Sequence, residues 1–239
     1  MTKLSIVIPA YDELPNLRRL LPRIRAVLDA SPVSLGEVLV VVRTHADPDG
    51  DAEIRDLGAV PVRRTPGDSF GDAIRTGLAA VPVDRDLVLT MDADGSHDPD
   101  RIPLMLAHAE GAHVVVASRY VAGGRSDNSA PLKAMSRALN RAYSLVLGID
   151  CRDVSTNFKL YRREDVERVR LSCAAFDIVE ELLIQVARLH PDDFRIVEVP
   201  DHFRERELGE TKRQLGPFIA AYLATLVRLR WQGDRRRRG

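Results

Sequence analysis

Short β-branched runs alternate along the chain with segments whose apolar residues recur every three or four positions. Leu4 to Pro9 (LSIVIP) reads as a strand. The segment 13–30 then carries apolar residues at 14, 17, 20, 21, 24, 27 and 28, which is one face of a helix. Pro22 inside it predicts a kink. Strands are expected over 37–42, 60–62, 86–91 and 114–118, and helices over 71–80 and from Asp98-Pro99 to Gly111. An Asp followed by Pro supplies an N-cap and a preset first helical residue. Beyond Tyr120 the spacing predicts helices over 134–147 and 177–189, with strands over 157–161 and 195–199.

Strands that are continuously apolar and separated by helices indicate a mainly parallel sheet covered on both faces. The expected class is α/β, a Rossmann-like central sheet flanked by helices in a single domain over residues 1–216. An amphipathic helix and basic tail follow over 217–239. In such sheets ligands bind beyond the carboxyl ends of the strands, so the residues after each strand are the candidates for chemistry.

Composition narrows the classes. The chain has 239 residues, 45% of them hydrophobic, enough for one sizeable core and marginal for two domains. Global disorder is excluded by that apolar content. Lys and Arg number 35 against 35 Asp and Glu, so the positive field of a dedicated nucleic-acid binder is missing. Cys151 and Cys173 cannot make a disulfide scaffold; they read as packing residues in a reducing compartment. The first residues lack the apolar run and small-residue cleavage site of a signal peptide. The apolar stretch 218–227 is half the length of roughly 20 residues that a spanning helix needs. A cytoplasmic protein, soluble or peripheral on the membrane face, is expected. The six histidines show no paired zinc spacing.

The most informative segment is Leu87-Val-Leu-Thr-Met-Asp92-Ala-Asp94-Gly-Ser-His97-Asp98-Pro99. Two carboxylates one residue apart, leaving a buried strand, can share a hard divalent cation such as Mg²⁺ or Mn²⁺ whose remaining positions take water or phosphate oxygens. An acidic turn capping the next helix is the plainer reading, and Asp98 fills that role. The same segment also resembles the nucleophile motif of haloacid-dehalogenase-type phosphatases. That motif normally ends the first strand of its domain, whereas three strands precede this one.

With its flanks, the sequence resembles a family-2 glycosyltransferase of GT-A fold, in the dolichol- or polyprenyl-phosphate mannosyltransferase branch. The anchors, in the family's order, are Ile8-Pro9-Ala-Tyr11-Asp-Glu13, Gly71-Asp-Ala-Ile-Arg75-Thr-Gly77 and Met91 to Pro99. Ala117-Ser-Arg119-Tyr-Val-Ala-Gly-Gly124, Asp153-Val-Ser-Thr-Asn157-Phe-Lys-Leu-Tyr-Arg162 and Val197 to Lys212 complete them. The resemblance implies an inverting, metal-dependent enzyme moving a hexose, mannose above all, from a nucleotide sugar such as GDP-mannose to polyprenyl phosphate. Asp92 and Asp94 would hold Mg²⁺ or Mn²⁺ on the donor diphosphate. Pro9, Tyr11, Glu13 and Arg75 would belong to the nucleotide-sugar site, and Arg119, Arg206 and Lys212 would face phosphates. The family usually has an Asp pair just after its second strand, against base and ribose. Here that strand runs into Arg43-Thr-His-Ala-Asp47-Pro-Asp49, so Asp49 or Asp47 is the expected substitute.

A lipid phosphate is already anionic and needs no general base, whereas a hydroxyl acceptor needs a carboxylate. Asp177, Glu180 and Glu181 supply candidates, with Asp177 also a simple N-cap and both Glu favoured by the helix dipole. The segment 218–231 places apolar residues on one face and ends in Trp231 and Arg235 to Arg238. That arrangement suits either a helix on anionic lipid or a core-packing helix with a basic tail. A small-molecule hydroxyl acceptor, a nucleotide-binding module of weakened catalysis and the phosphatase remain as alternatives, and a homodimer is compatible with all of them.

Overall fold

The computed structural model describes residues 2–31, 33–204 and 223–231. A seven-stranded sheet is built from β1 (Lys3–Pro9), β2 (Ser34–Val42), β3 (Val60–Arg63), β4 (Leu87–Thr90), β5 (Val114–Ser118), β7 (Lys159–Arg162) and β8 (Ile196–Pro200). Its spatial order is β3-β2-β1-β4-β7-β5-β8. All neighbouring pairs are parallel except those of β7, which runs antiparallel to both β4 and β5. A small parallel pair, β6 (Arg125–Ser126) with β9 (His202–Phe203), lies beside it.

Alternation along the strands divides the core. Leu4, Ile6, Ile8 and Leu89 pack with α1 (Leu14–Asp29) through Leu17, Leu20 and Ile24, and with α4 (Ile102–Ala107) through Met105. Val7, Val41 and Val88 face the other way, against Ala73 of α3 (Phe70–Ala79). On that same side Tyr143 of α5 (Ala130–Leu147) and Leu182 and Leu183 of α7 (Ile178–Leu189) pack on Val114 and Val116. Each fully buried Leu, Ile or Val contributes about 1.5–3 kcal/mol. A helix over 223–231 adds Leu226 and Leu229 to this second layer.

Several expectations change. Helix α1 runs unbroken through Pro22, because that residue lies exposed while Leu17, Leu20, Leu21, Ile24 and Leu28 anchor the opposite face. The helix expected to reach Gly111 is a 3₁₀ turn (Pro99–Arg101) followed by α4. It opens at Asp98, whose carboxylate accepts from the Asp100 N–H, and Gly111 takes φ +78° beyond its end. An unforeseen helix, α2 (Pro48–Asp56), starts at Asp47, which caps it by accepting from the Asp49 N–H. A second one, α6 (Arg163–Arg168), follows β7. Among the described residues no helix is long and apolar enough to cross a membrane.

Candidate active site

Strand β4 leaves the sheet at Thr90, whose hydroxyl donates to the Asn157 carbonyl at 2.7 Å and so ties the loop before β7 to this strand end. The chain then presents Asp92 and Asp94, both partly exposed, around the buried Ala93. The Asn157 amide donates to Asp92 Oδ1 at 3.0 Å, and Ser96 donates to Asp94 Oδ1 through its N–H (3.1 Å) and its hydroxyl (2.6 Å). Gly95 takes φ +80°, a backbone that costs glycine least, and so lets the turn bring Ser96 back to Asp94. Asn157 and Ser96 thus orient Oδ1 of each carboxylate, as neighbouring donors orient the ligands of a metal site. Two carboxylates one residue apart at a strand end are a donor set that suits a hard divalent ion.

Behind this pair lies a buried polar layer. His97, 1% exposed, accepts from the Asp92 N–H at Nδ1 (3.1 Å), and its Nε2 stands 4.0 Å from Asp92 Oδ2. Its ring is stacked on Phe158 at 5.0 Å. Asp98 is held between Arg23 (2.7 Å) and Arg204 (2.8 Å), and the Arg204 N–H donates to the Ser96 carbonyl. The element after β8 is thereby fastened to the acidic turn. Asp201, also 1% exposed, receives no full hydrogen bond on either carboxylate oxygen among the described residues; burial pushes its carboxyl above the usual range, against smaller opposing pulls from His97 and the His202 N–H. It lies inside the Val197 to Lys212 anchor, where neither its type nor its spacing marks it off from its neighbours.

At the ends of β1, β2 and β3, Pro9 is buried and paired in register with Val41, while Tyr11 is 42% exposed. The Arg43 and Arg64 guanidinium carbons lie 5.2 and 5.4 Å from the Tyr11 ring centroid. Arg43 is ion-paired with Asp12 at 2.9 Å, and Asp12 itself takes φ +57°. Glu13 sits at the start of α1 and accepts from the Asn16 amide at 2.6 Å. Asp49 stands exposed in the first turn of α2, and Asp51 pairs with Arg63 at 2.5 Å. The carboxylate that meets the end of β2 is instead Asp68, from the loop after β3, which accepts from the Thr44 N–H (2.7 Å) and hydroxyl (3.0 Å). Those donors hold its carboxyl below the usual range.

Arg75 of α3 donates to Asp72 (2.7 Å) and to the Cys173 carbonyl (2.6 Å), bridging α3 to the segment before α7. Arg119, 8% exposed, clasps Asp153 through Nε (2.8 Å), Nη2 (2.6 Å) and its own N–H (2.9 Å), and Nη2 also donates to Ser155. Burial alone would push the Asp153 carboxyl up, yet the guanidinium holds it below the usual carboxylate range. Lys159 is wholly buried and donates to the carbonyls of Val154 and Thr156, so the loop that presents Asn157 is pinned from beneath. Arg206 and Lys212 lie outside the described residues.

At the start of α7, Asp177 and Glu181 are hydrogen-bonded to neighbouring segments. The Asp177 side chain makes no cap to α7, correcting that expectation. It accepts from the Thr225 hydroxyl at 2.5 Å and lies 3.9 Å from Arg228, both on the C-terminal helix. Glu181 accepts from the Ser172 and Cys173 N–H groups at 2.8 Å each, bonds that hold its carboxyl low against burial. Glu180 is buried beside it. His113 and His190, which the sequence does not pair, stack at 3.8 Å below the opposite ends of β5 and β8. There His113 Nδ1 accepts from the Arg195 N–H and His190 contacts the buried Asp165 at 2.7 Å.

Comparison with known proteins places this geometry in context. Residues 5–170 match the family model described as glycosyl transferase family 2. The chain is 32% identical to the undecaprenyl-phosphate mannosyltransferase of Micrococcus luteus, over 98% of both chains. It is 29% identical to the polyprenol monophosphomannose synthase of Mycolicibacterium smegmatis, over 87% of this chain and 79% of that one. Glucosyl-3-phosphoglycerate synthase of Mycobacterium tuberculosis, in a crystal structure with Mn²⁺, UDP and phosphoglyceric acid, superposes with a TM-score of 0.70. That match covers 96% of this chain and 78% of that one at 19% identity, a likeness of fold.

Proposed function

The chain belongs to glycosyl transferase family 2, and on that premise we propose that it moves a mannosyl group from a nucleotide-sugar donor to a polyprenyl phosphate. The full-length likeness to the Micrococcus luteus enzyme carries the choice of sugar and acceptor. GDP-mannose is the donor proposed. Asp92 and Asp94 would hold Mg²⁺ or Mn²⁺, and the ion would neutralise charge growing on the departing diphosphate. An acceptor phosphate oxygen forms the new bond to the anomeric carbon as the bond to the donor diphosphate breaks. The electron pair leaves with the nucleoside diphosphate, and attack from the opposite face inverts the anomeric centre.

The fate of the carboxylates favours an acceptor that is already anionic. Asp177 is bonded through Oδ2 to Thr225 and Glu181 to Ser172 and Cys173, which supports a reaction that calls on neither as a base. Positioning and charge then supply the rate. The helix over 223–231 supports contact with an anionic membrane surface. Its inner residues Leu226 and Leu229 pack in the core, while Leu223, Val227 and Trp231 (67% exposed) recur every four residues on the outside. Such a stripe beside Arg230 suits the lipid interface, with the enzyme peripheral on the cytoplasmic face.

The test supplies the protein with Mn²⁺, labelled nucleotide sugars and a short polyprenyl phosphate, and follows label into organic solvent. Labelled lipid is expected from the mannosyl donor, and Asp94→Ala should abolish it with the thermal midpoint retained. Water-soluble product without labelled lipid, or full activity in Asp94→Ala, refutes the reading.

A further inference from the structure

His113 stands just before β5, at the end of the sheet opposite the acidic turn. Its N–H donates to the Arg195 carbonyl at 2.9 Å, and its ring Nδ1 accepts from the Arg195 N–H at 3.0 Å. Backbone and ring together thus hold the residue that opens β8, the last strand of the sheet, which pairs only with β5 among the described residues. A ring nitrogen that accepts carries no proton, so His113, 6% exposed, is kept neutral with its proton on Nε2. Its surroundings oppose a second proton. His190, from the end of α7, lays its ring 3.8 Å away, centroid to centroid, and Phe194 stacks at 6.0 Å. Asp165 of α6 is buried, but its carboxylate is bonded to His190 Nε2 at 2.7 Å, with Arg168 3.8 Å from the same oxygen. Arg162, ending β7, donates to the Ala112 carbonyl at 2.9 Å, and Asp193 lies 3.9 Å from His190 Nδ1. Burial, with His190 and Arg162, holds the His113 imidazole below its ordinary value, against weaker pulls from Asp165 and Asp193. Ligand atoms of His113, His190 and Asp193 approach within 4.8 Å of one another. With Nδ1 occupied and Nε2 protonated, however, His113 offers a metal ion no lone pair.

The other end of β8 leads through Asp201 to Arg204, which fastens the acidic turn through Asp98 and the Ser96 carbonyl. We propose that His113 is an acid-sensitive latch on β8: a proton taken from water at Nδ1 ends its bond to the Arg195 N–H and loosens the strand that carries Arg204 to the acidic turn. The ring then sets one N–H against another, and its new charge lies against the face of His190. The closed strand keeps its full stability above the ordinary histidine value of 6.5. It loses stability as the pH falls from there toward the lower value of the closed form, because the opened ring takes up a proton that the closed ring refuses. An opened ring titrating at 6.5 makes opening about tenfold more favourable at pH 5.5 than at pH 7.5. The device acts on the fold and is independent of which sugar or acceptor the enzyme takes.

Hydrogen exchange of the full chain, corrected for the intrinsic pH dependence of amide exchange, reads the opening of 196–199 at both pH values. In the wild type this segment should open about tenfold more at pH 5.5, while β1, inside the sheet, changes by less than about twofold. His113→Asn puts an amide oxygen near the position of Nδ1, an acceptor that does not titrate, and should cut the change at 196–199 below about twofold. The wild type alone supplies a second reading. The ¹⁵N shifts of His113 at pH 7.5 should show the proton on Nε2, and their change in acid should follow the exchange of 196–199. No acid change at 196–199, an equal change in β1, or an undiminished one in His113→Asn overturns the inference. So does a His113 ring that is charged, or protonated at Nδ1, at pH 7.5.

Discussion

Asp153→Asn is the sharpest test of how the site is held. The wild-type carboxylate is completely buried and receives three bonds from Arg119 at 2.6–2.9 Å. The amide keeps the shape but removes the charge, and it turns an NH₂ group toward a guanidinium that can only donate. Leaving a buried cation without its counter-charge costs about 3–5 kcal/mol. For a protein of this size each kcal/mol moves the thermal midpoint by about 2–4 °C, so a fall of roughly 6–20 °C is expected. Urea unfolding with a shared m-value gives the free energy directly. The double variant Arg119→Met/Asp153→Leu should recover most of the loss, since it removes both charges together. Transfer activity should fall in Asp153→Asn beyond what the unfolded fraction explains, because the same loop carries Asn157 to Asp92. A cost under about 1 kcal/mol, or a double variant as unstable as the sum of the singles, refutes the reasoning.

Two further outcomes follow from other features. Gly71→Ala puts a Cβ 2.2 Å from the Cys173 carbonyl oxygen, a backbone atom, so α3 must shift from the segment before α7. Chemical denaturation should show a loss of at least about 1–3 kcal/mol, and a neutral variant would mean that the helix is free to slide. Asp201 and Asp153 titrate in opposite senses. Asp153 is depressed in the folded protein, so its contribution is present above the unfolded value near 3.8 and is lost as pH falls through the lower folded value. Asp201 is raised, so stability is lost as pH climbs from about 3.8 through its folded value. Asp201→Asn should therefore stabilise the protein at pH 7 and give a smaller gain near pH 4, checked by urea titration at both. A variant less stable at pH 7 would show a bonded, needed carboxylate.

The α/β class and the acidic turn were legible because both rest on local pattern. Continuous Val, Ile and Leu runs mark covered strands, and a pair of acids after such a run marks the end where ligands gather. The direction of β7 was hidden, since an apolar run reads the same in either sense. Asp177 looked like a cap because its partner, Thr225, lies 48 residues away. Asp68 drew no reading, and only the pairing of β2 with β3 carries it to Thr44. The resemblance implied that Arg119 faces phosphate. Its clasp on Asp153 depends on two strand ends meeting, which spacing alone does not encode.

That clasp has an architectural consequence. The chain departs from the sheet at Ser118, wanders through β6 and α5, and comes back into it as β7. Both ends of this excursion are cinched by a single salt link spanning 34 positions, beside the Ala117 N–H bond to the Phe158 carbonyl. A change of loop length inside it that spares Arg119, Asp153 and the Tyr143 packing on Val114 and Val116 should leave the β5–β7 register in place.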